Sequence, residues 1–516
     1  MGVRLPKGSR RARLAVLLLV LVVGLGTVIG VVASRGGGKS TADSAEAAPL
    51  RPPATVCGNT GVLDGPDAPP PGAVSVAPGQ DLSLMTNAAP AGTTFWLAPG
   101  VHTLSPDPYA QVVPKPGNRY VGSSGAVLDG RRLNRYAFTG SATGVVVEHL
   151  TVRNFGKAGQ NNNEGVVNHD AGPAWTIRYD TVLDNAGAGV FVGSDNNVSW
   201  NCLANNGQYG FSVYRPNGVA NVTLDHNEIS GNDTDNWEAR QPGCGCTGGG
   251  KFWATTGARI TNNYVHNNSS VGVWADTNNV GFLFSGNYIS DNASEGIVYE
   301  ISYNALIVHN TFVRNGLVKG PTNPSFPTGA IYLSESGSDE RVSGPYGASL
   351  QVSENTFQDN WSGVVLWENA DRFCNSPANT SSGTCTLVGR TASPTYCSAP
   401  DIAKAPYYDD CRWKTQNVSV VGNTFSFAPQ KIGDTCSTST SCGQNAIFSN
   451  WGSYPAWSPY QGRKIQDAIT FDQNNHFDNN TYSGPWTFLA REPGNVLSFS
   501  QWQAAPYGQD RDSRLG

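Results

Sequence analysis

From about residue 165 onward the chain alternates short apolar, β-forming runs with Gly, Asn and Asp. One unit reads Gly272-Val273-Trp274-Ala275-Asp276, then Phe282-Leu283-Phe284, then Gly286-Asn287-Tyr288-Ile289-Ser290-Asp291-Asn292. The following unit keeps that order: Gly296-Ile297-Val298-Tyr299-Glu300, Ala305-Leu306-Ile307, then His309-Asn310-Thr311-Phe312-Val313-Arg314-Asn315. Asn263, Asn287 and Asn310 are 24 and 23 residues apart. The frame is visible upstream from Gly165, Gly189 and Gly210, and downstream at Asn355, Asn423 and Asn479. Each unit holds three short strand-type runs with turn residues between them and no helical period. Three strands per 23–24 residues predict an all-β, right-handed, single-stranded parallel β-helix. One coil cannot bury its own apolar side, so Val273, Phe282, Phe284, Ile297 and Ile307 are predicted to form one continuous core by stacking.

Asn268, Asn292 and Asn315 recur at one turn and are expected to align as a hydrogen-bonded ladder, since Asn accepts left-handed turn dihedrals and its amide can bond the next coil. Earlier segments, Gly92-Thr93-Thr94-Phe95-Trp96-Leu97-Ala98-Pro99-Gly100-Val101-His102 and Gly125-Ala126-Val127-Leu128-Asp129-Gly130, read as opening coils. With these residues in view, the chain resembles the right-handed parallel β-helix repeat proteins of the pectate-lyase-like superfamily over roughly residues 90 to 485. That resemblance implies the fold. It leaves open polysaccharide lyases, glycoside hydrolases, uronate epimerases and non-catalytic binders, because fold does not fix function.

The N-terminal residues follow a different pattern. Arg4, Lys7, Arg10, Arg11 and Arg13 precede an uncharged run from Leu14 to Ser34. This predicts a cytoplasmic basic flank at 1–13 and a signal anchor or a cleaved signal peptide at 14–34. Residues 35–54 read as a flexible linker. The β-helix domain is expected over 55–490, with Cys-rich insertions at about 371–415 and 432–466, and 491–516 as a C-terminal tail. The exported part is therefore membrane-anchored with an extracytoplasmic domain, or secreted. Of 34 Lys+Arg and 39 Asp+Glu, the first 46 residues hold seven and two, which leaves 27 against 37, a formal charge of −10. Such a surface opposes nucleic-acid binding and repels polyanions. Ten Cys in an exported chain predict disulfides, read here as local staples across loops, with the pairing left open.

Side chains at equivalent places in successive coils stack about 4.8 Å apart, the spacing between neighbouring strands. Four residues beyond each coil's first Gly lies a column of His169, Gly193, Tyr214, Asp276, Glu300, Leu333 and Trp367. Asp276 and Glu300 are thus expected on adjacent coils, where like charges raise proton affinity and a proton donor can stand beside a carboxylate. These two are the candidate catalytic residues. Lys251, Trp253, Trp274 and Tyr303 are the candidate substrate-binding residues, because sugars offer C–H faces to indoles and hydroxyls to charged groups. The register leaves either Phe252 or Trp253 level with Asp276. Glu335, Glu368, Glu238 and His266 are secondary candidates.

The expected partner is a polysaccharide or cell-wall glycan, with the membrane reached through the N-terminal segment. No cofactor is implied; calcium is left open as the ion that lyases of this superfamily use. A lyase or epimerase would draw on Lys251 as its base. Against it stand the charge of −10 and the lack of calcium-loop spacing. The Asn-Thr-Asp and Arg-Ile-Lys signatures of related pectin hydrolases are also missing from the sequence. A non-catalytic glycan binder is the third reading.

Overall fold

The computed structural model describes residues 48–342, 344–379, 385, 389 and 391–516. The basic flank, the apolar span and the linker as far as residue 47 lie outside the described residues. Among the described residues, no helix is long and apolar enough to cross a membrane.

Three sheets of 15, 13 and 11 strands stack the coils; the coils before Gly165 give strands to the first two sheets, and the third sheet joins from there. The first sheet runs from Val74–Val76 to His476–Asp478, the second from Gly100–His102 to Arg514–Leu515, and the third from Gly165–Val167 to Val496–Leu497. Strand pairs are parallel throughout, except where Thr487–Arg491 meets Val496–Leu497 at the end of the third sheet. The five predicted core residues, Val273, Phe282, Phe284, Ile297 and Ile307, are all fully buried. Alternation along each strand decides this, because every second side chain of a half-buried strand points inward.

Two asparagine ladders seal two turns. One joins Asn185, Asn206, Asn232, Asn268, Asn292, Asn315 and Asn360, each side-chain amide donating to the next carbonyl oxygen at 2.9–3.1 Å. The other runs from Asn201 through Asn227, Asn263, Asn287, Asn310, Asn355 and Asn423 to Asn480 at the same distances. The expected alignment of Asn268, Asn292 and Asn315 is present. Its reason differs, since the left-handed dihedral belongs to the preceding residue, such as Asn267, Asp291 or Arg314. The ladder residue itself is held by its amide.

The ends of the domain depart from the sequence reading. Residues 48–57, expected mostly as linker, lie along the second sheet: Thr311 donates to the Pro49 carbonyl at 2.6 Å, and Glu228 accepts from the Val56 and Cys57 amides at 2.7 and 2.8 Å. Cys57 is bonded to Cys202, 145 residues away, so that bridge is not a local staple. The others are local: Cys244–Cys246, Cys374–Cys385, Cys397–Cys411 and Cys436–Cys442. Residues 491–516, read as a tail, close the core instead. Helix Phe499–Gln503 buries Trp502 completely, and Arg514–Leu515 pairs with Thr481–Ser483. The second Cys-rich insertion is divided by a third-sheet strand, Gln444–Ser449.

Candidate active site

The third sheet sets the geometry. Lys251 pairs with Trp274, Trp274 with Val298, and Val298 with Tyr332. Phe252 pairs with Ala275 and Ala275 with Tyr299, which places Trp253, Asp276 and Glu300 level just beyond. Glu300 is level with Ser334, Trp367 and Phe448. Trp253, not Phe252, therefore stands beside Asp276; Phe252 points inward and is fully buried. Ser334 replaces the expected Leu333, because Ile297 pairs with Ile331, so that Gly296 faces Ala330 and not Gly329. His169 also falls one residue out of line, since Gly165 pairs with Ala188 and not with Gly189.

The two candidate acids have unlike surroundings. Asp276 accepts from Lys251 Nζ at 2.9 Å on one oxygen, and from the Thr277 amide and hydroxyl at 2.6 and 2.8 Å on the other. Burial pushes its carboxyl up, but the Lys251 charge and the Thr277 bonds outweigh this and hold it below the usual carboxylate range. Glu300 accepts from Arg372 at 2.6 Å and from the Trp274 indole at 3.2 Å. Burial dominates there, with the Asp276 and Glu335 charges adding to it, and raises the carboxyl above its ordinary value despite Arg372. One acid is held ionised and its neighbour is held toward the protonated form.

Each predicted binding residue has a defined place. The Lys251 ammonium also meets the Gly245 carbonyl and lies 4.3 Å from the centre of the Trp274 ring. Trp274 is half-buried, with the Gly245 backbone packed against its far edge, so it orients Glu300 more than it offers a free face. Trp253 is half-buried, 6.0 Å from Lys251. Tyr303, expected to bind substrate, is fully buried in the first sheet, and its hydroxyl accepts from the Lys414 amide at 3.1 Å. It cannot touch a ligand. Tyr214, level with Trp253 on the preceding coil, is 43% exposed and supplies the open aromatic face that Tyr303 does not.

Arg372 is the residue that sequence reasoning missed. It enters from the Cys-rich insertion after Ser362–Glu368, two coils beyond Glu300, and bonds Glu300, Glu335 and, at 3.1 Å, Ser334. Its backbone is fixed next to Asp371, whose carboxylate accepts from the Ser453 and Tyr454 amides at 2.8 and 2.9 Å. Glu335 is fully buried, Glu368 pairs with Arg412, and His266 bonds Glu228 under the N-terminal strap. The latter two belong to the framework. Among the described residues, no group of three or more His, Cys, Asp or Glu is placed to hold a metal ion. The acids at this site face Lys251 and Arg372 instead, Asp276 pairing with the first and Glu300 and Glu335 sharing the second.

Residues 164–344 match the family described as right handed beta helix region. The fold and this match define a right-handed parallel β-helix protein. The A-module of mannuronan C-5 epimerase AlgE4 from Azotobacter vinelandii is similar at 13% identity and a TM-score of 0.41, over 84% of this chain and 94% of that one. The catalytic unit of the thermostable GH87 α-1,3-glucanase from Streptomyces thermodiastaticus strain HF3-3 is similar at 14% identity and a TM-score of 0.49, over 88% and 70%. No curated protein matches the chain.

Proposed function

We propose that this protein cleaves glycosidic bonds in an extracytoplasmic polysaccharide, with Glu300 as general acid and Asp276 as the ionised partner. The observation that carries the reading is the pair of adjacent carboxylates whose surroundings push them in opposite directions, the pattern that separates acid from nucleophile in glycoside cleavage. In the first step an Asp276 oxygen bonds to the anomeric carbon, the bond to the leaving oxygen breaks, and the Glu300 proton passes to that oxygen. In the second, water attacks the same carbon, Glu300 takes its proton, and Asp276 leaves. Adjacent coils lie about 4.8 Å apart, close to the roughly 5–5.5 Å of retaining enzymes, so the product is expected to keep its anomeric configuration. Tyr214 and Trp253 would stack on sugar rings beside the acids.

The lyase or epimerase reading is less well supported, because Lys251 Nζ is engaged by Asp276 and the Gly245 carbonyl and does not stand free toward a substrate. All ten Cys are paired in five bridges, which supports an exported location; anchoring through the N-terminal segment is part of the proposal. The test is a screen of neutral and uronic polysaccharides, read for new reducing ends, for the ultraviolet absorbance of unsaturated uronates, and for retention without products. On a confirmed substrate, Asp276→Asn and Glu300→Gln are each expected to lose at least about 100-fold in turnover with folding intact. Wild-type rates in both variants would move the chemistry elsewhere. Retention without products, dependent on Tyr214 and Trp253, would mark a binder.

A further inference from the structure

Four charged groups and one phenol crowd the third sheet around Glu300: Arg372, Glu335, Asp276, Lys251 and Tyr332. Lys251 is matched by Asp276. That leaves one guanidinium for two buried carboxylates, Glu300 and Glu335, and the two do not share it evenly. Glu335 receives both Arg372 Nη2 and, at 3.2 Å, Arg372 Nε, and its Oε1 also accepts from the Asn369 amide at 2.7 Å. The Ser334 hydroxyl donates to Glu335 as well. Glu300 receives only Nη2 from Arg372. A side-on, two-point grip with extra donors favours the charged form of the carboxylate that receives it. Two buried carboxylates on one cation cannot both be fully ionised without leaving a net charge in low dielectric.

We infer that Glu335 is a positioning residue for Glu300: by taking the guanidinium in a two-point grip, it denies Glu300 a full counter-charge and so leaves the proton on Glu300. Glu335 is fully buried, with Arg372 and the Asn369 amide on its carboxylate, and does not meet substrate. Its backbone adopts a left-handed φ of 47°, which ends the strand Gly329–Ser334 and turns the residue toward Arg372. The Cys-rich insertion then has a chemical role, because it delivers the shared cation. The inference rests on the reading of Glu300 as the acid, but its test does not need a substrate.

The measurement is carboxyl 13C NMR titration of the full-length protein with labelled Glu, the Glu300 signal being identified by its loss in Glu300→Gln. In Glu335→Gln the cation turns wholly to Glu300, so its midpoint is expected to fall by at least about one pH unit, a tenfold weaker hold on the proton. In Arg372→Gln the midpoint is expected to rise. A Glu300 midpoint within about 0.3 unit of wild type in a folded Glu335→Gln protein would overturn the inference. Should that variant fail to fold, Arg372→Gln decides alone, and an unchanged or lowered midpoint overturns it. With a confirmed substrate, the alkaline limb of kcat/KM should move with the same signs. Shifts in the titration without turnover on any glycan would sink the glycosidase proposal and leave this inference standing; turnover without shifts would do the reverse.

Discussion

A single substitution in a ladder shows how much one side chain decides. Asp180 occupies the position before Asn201, its amide donating to the Asn201 carbonyl oxygen at 2.9 Å while its Oδ1 accepts from the Leu150 amide at 2.8 Å. Its Oδ2 is buried without a partner, where an Asn would place a donor. Burial raises this carboxyl well above its ordinary value, with the Leu150 bond opposing and Glu148 adding to it. The folded chain therefore keeps a proton that the unfolded chain releases above about pH 4, and the cost to stability grows as pH rises from there. Asp180→Asn is expected to raise the melting temperature, with little gain near pH 4 and a larger one at pH 7–8. A gain that does not grow with pH would show that the proton is not held. At the far end of the same ladder, Asp510 needs no such remedy. Asn480 donates to one of its oxygens at 2.9 Å, and Tyr482 and Trp502 donate to the other at 2.8 Å.

At the scale of the coil, order comes from repetition. Asn292 donates to Asn315 at 2.9 Å and to the Val265 carbonyl at 3.2 Å, and accepts from Asn268 at 2.9 Å. Asn292→Ala strands buried groups on both neighbours and should cost about 1–3 kcal/mol, readable by chemical denaturation. An unchanged midpoint would reduce the ladder to ornament. The same repetition made the core, the ladder and the adjacency of Asp276 and Glu300 legible from the sequence, since each is copied at 23–24 residues. Where the copy is imperfect the reading slipped by one residue, as at Leu333, because the Gly that begins a unit is not always its register mark. Arg372 was out of reach for a different reason. It arrives through an insertion with no counterpart in other coils, and nothing local encodes which carboxylates it will meet. Tyr303 was misplaced because its chain position follows Glu300, whereas the turn after Glu300 sends it into the next sheet.

For the whole molecule, the N-terminal strap ties distant coils together. Burial pushes the Glu228 carboxyl up, but His266 and the Cys57 and Val56 amides outweigh it and hold it below the ordinary value. A depressed carboxyl lends stability above the unfolded value near pH 4.3 and loses it as pH falls through the lower folded one. Hydrogen exchange at Val56 is therefore expected to be slow at neutral pH and to lose its protection on acidification below about 4, and Glu228→Ala should remove that protection at neutral pH. Protection unchanged in the variant would leave the Thr311–Pro49 bond and the Cys57–Cys202 bridge as the fastenings. That bridge also imposes a timetable. Cys57 leaves the ribosome 145 residues ahead of its partner, an interval of about 7–30 s at ordinary synthesis rates. No other cysteine of the chain is made in that interval, so Cys57 waits as an open thiol, and the maturation of this protein depends on an environment that neither caps it nor joins it to another molecule.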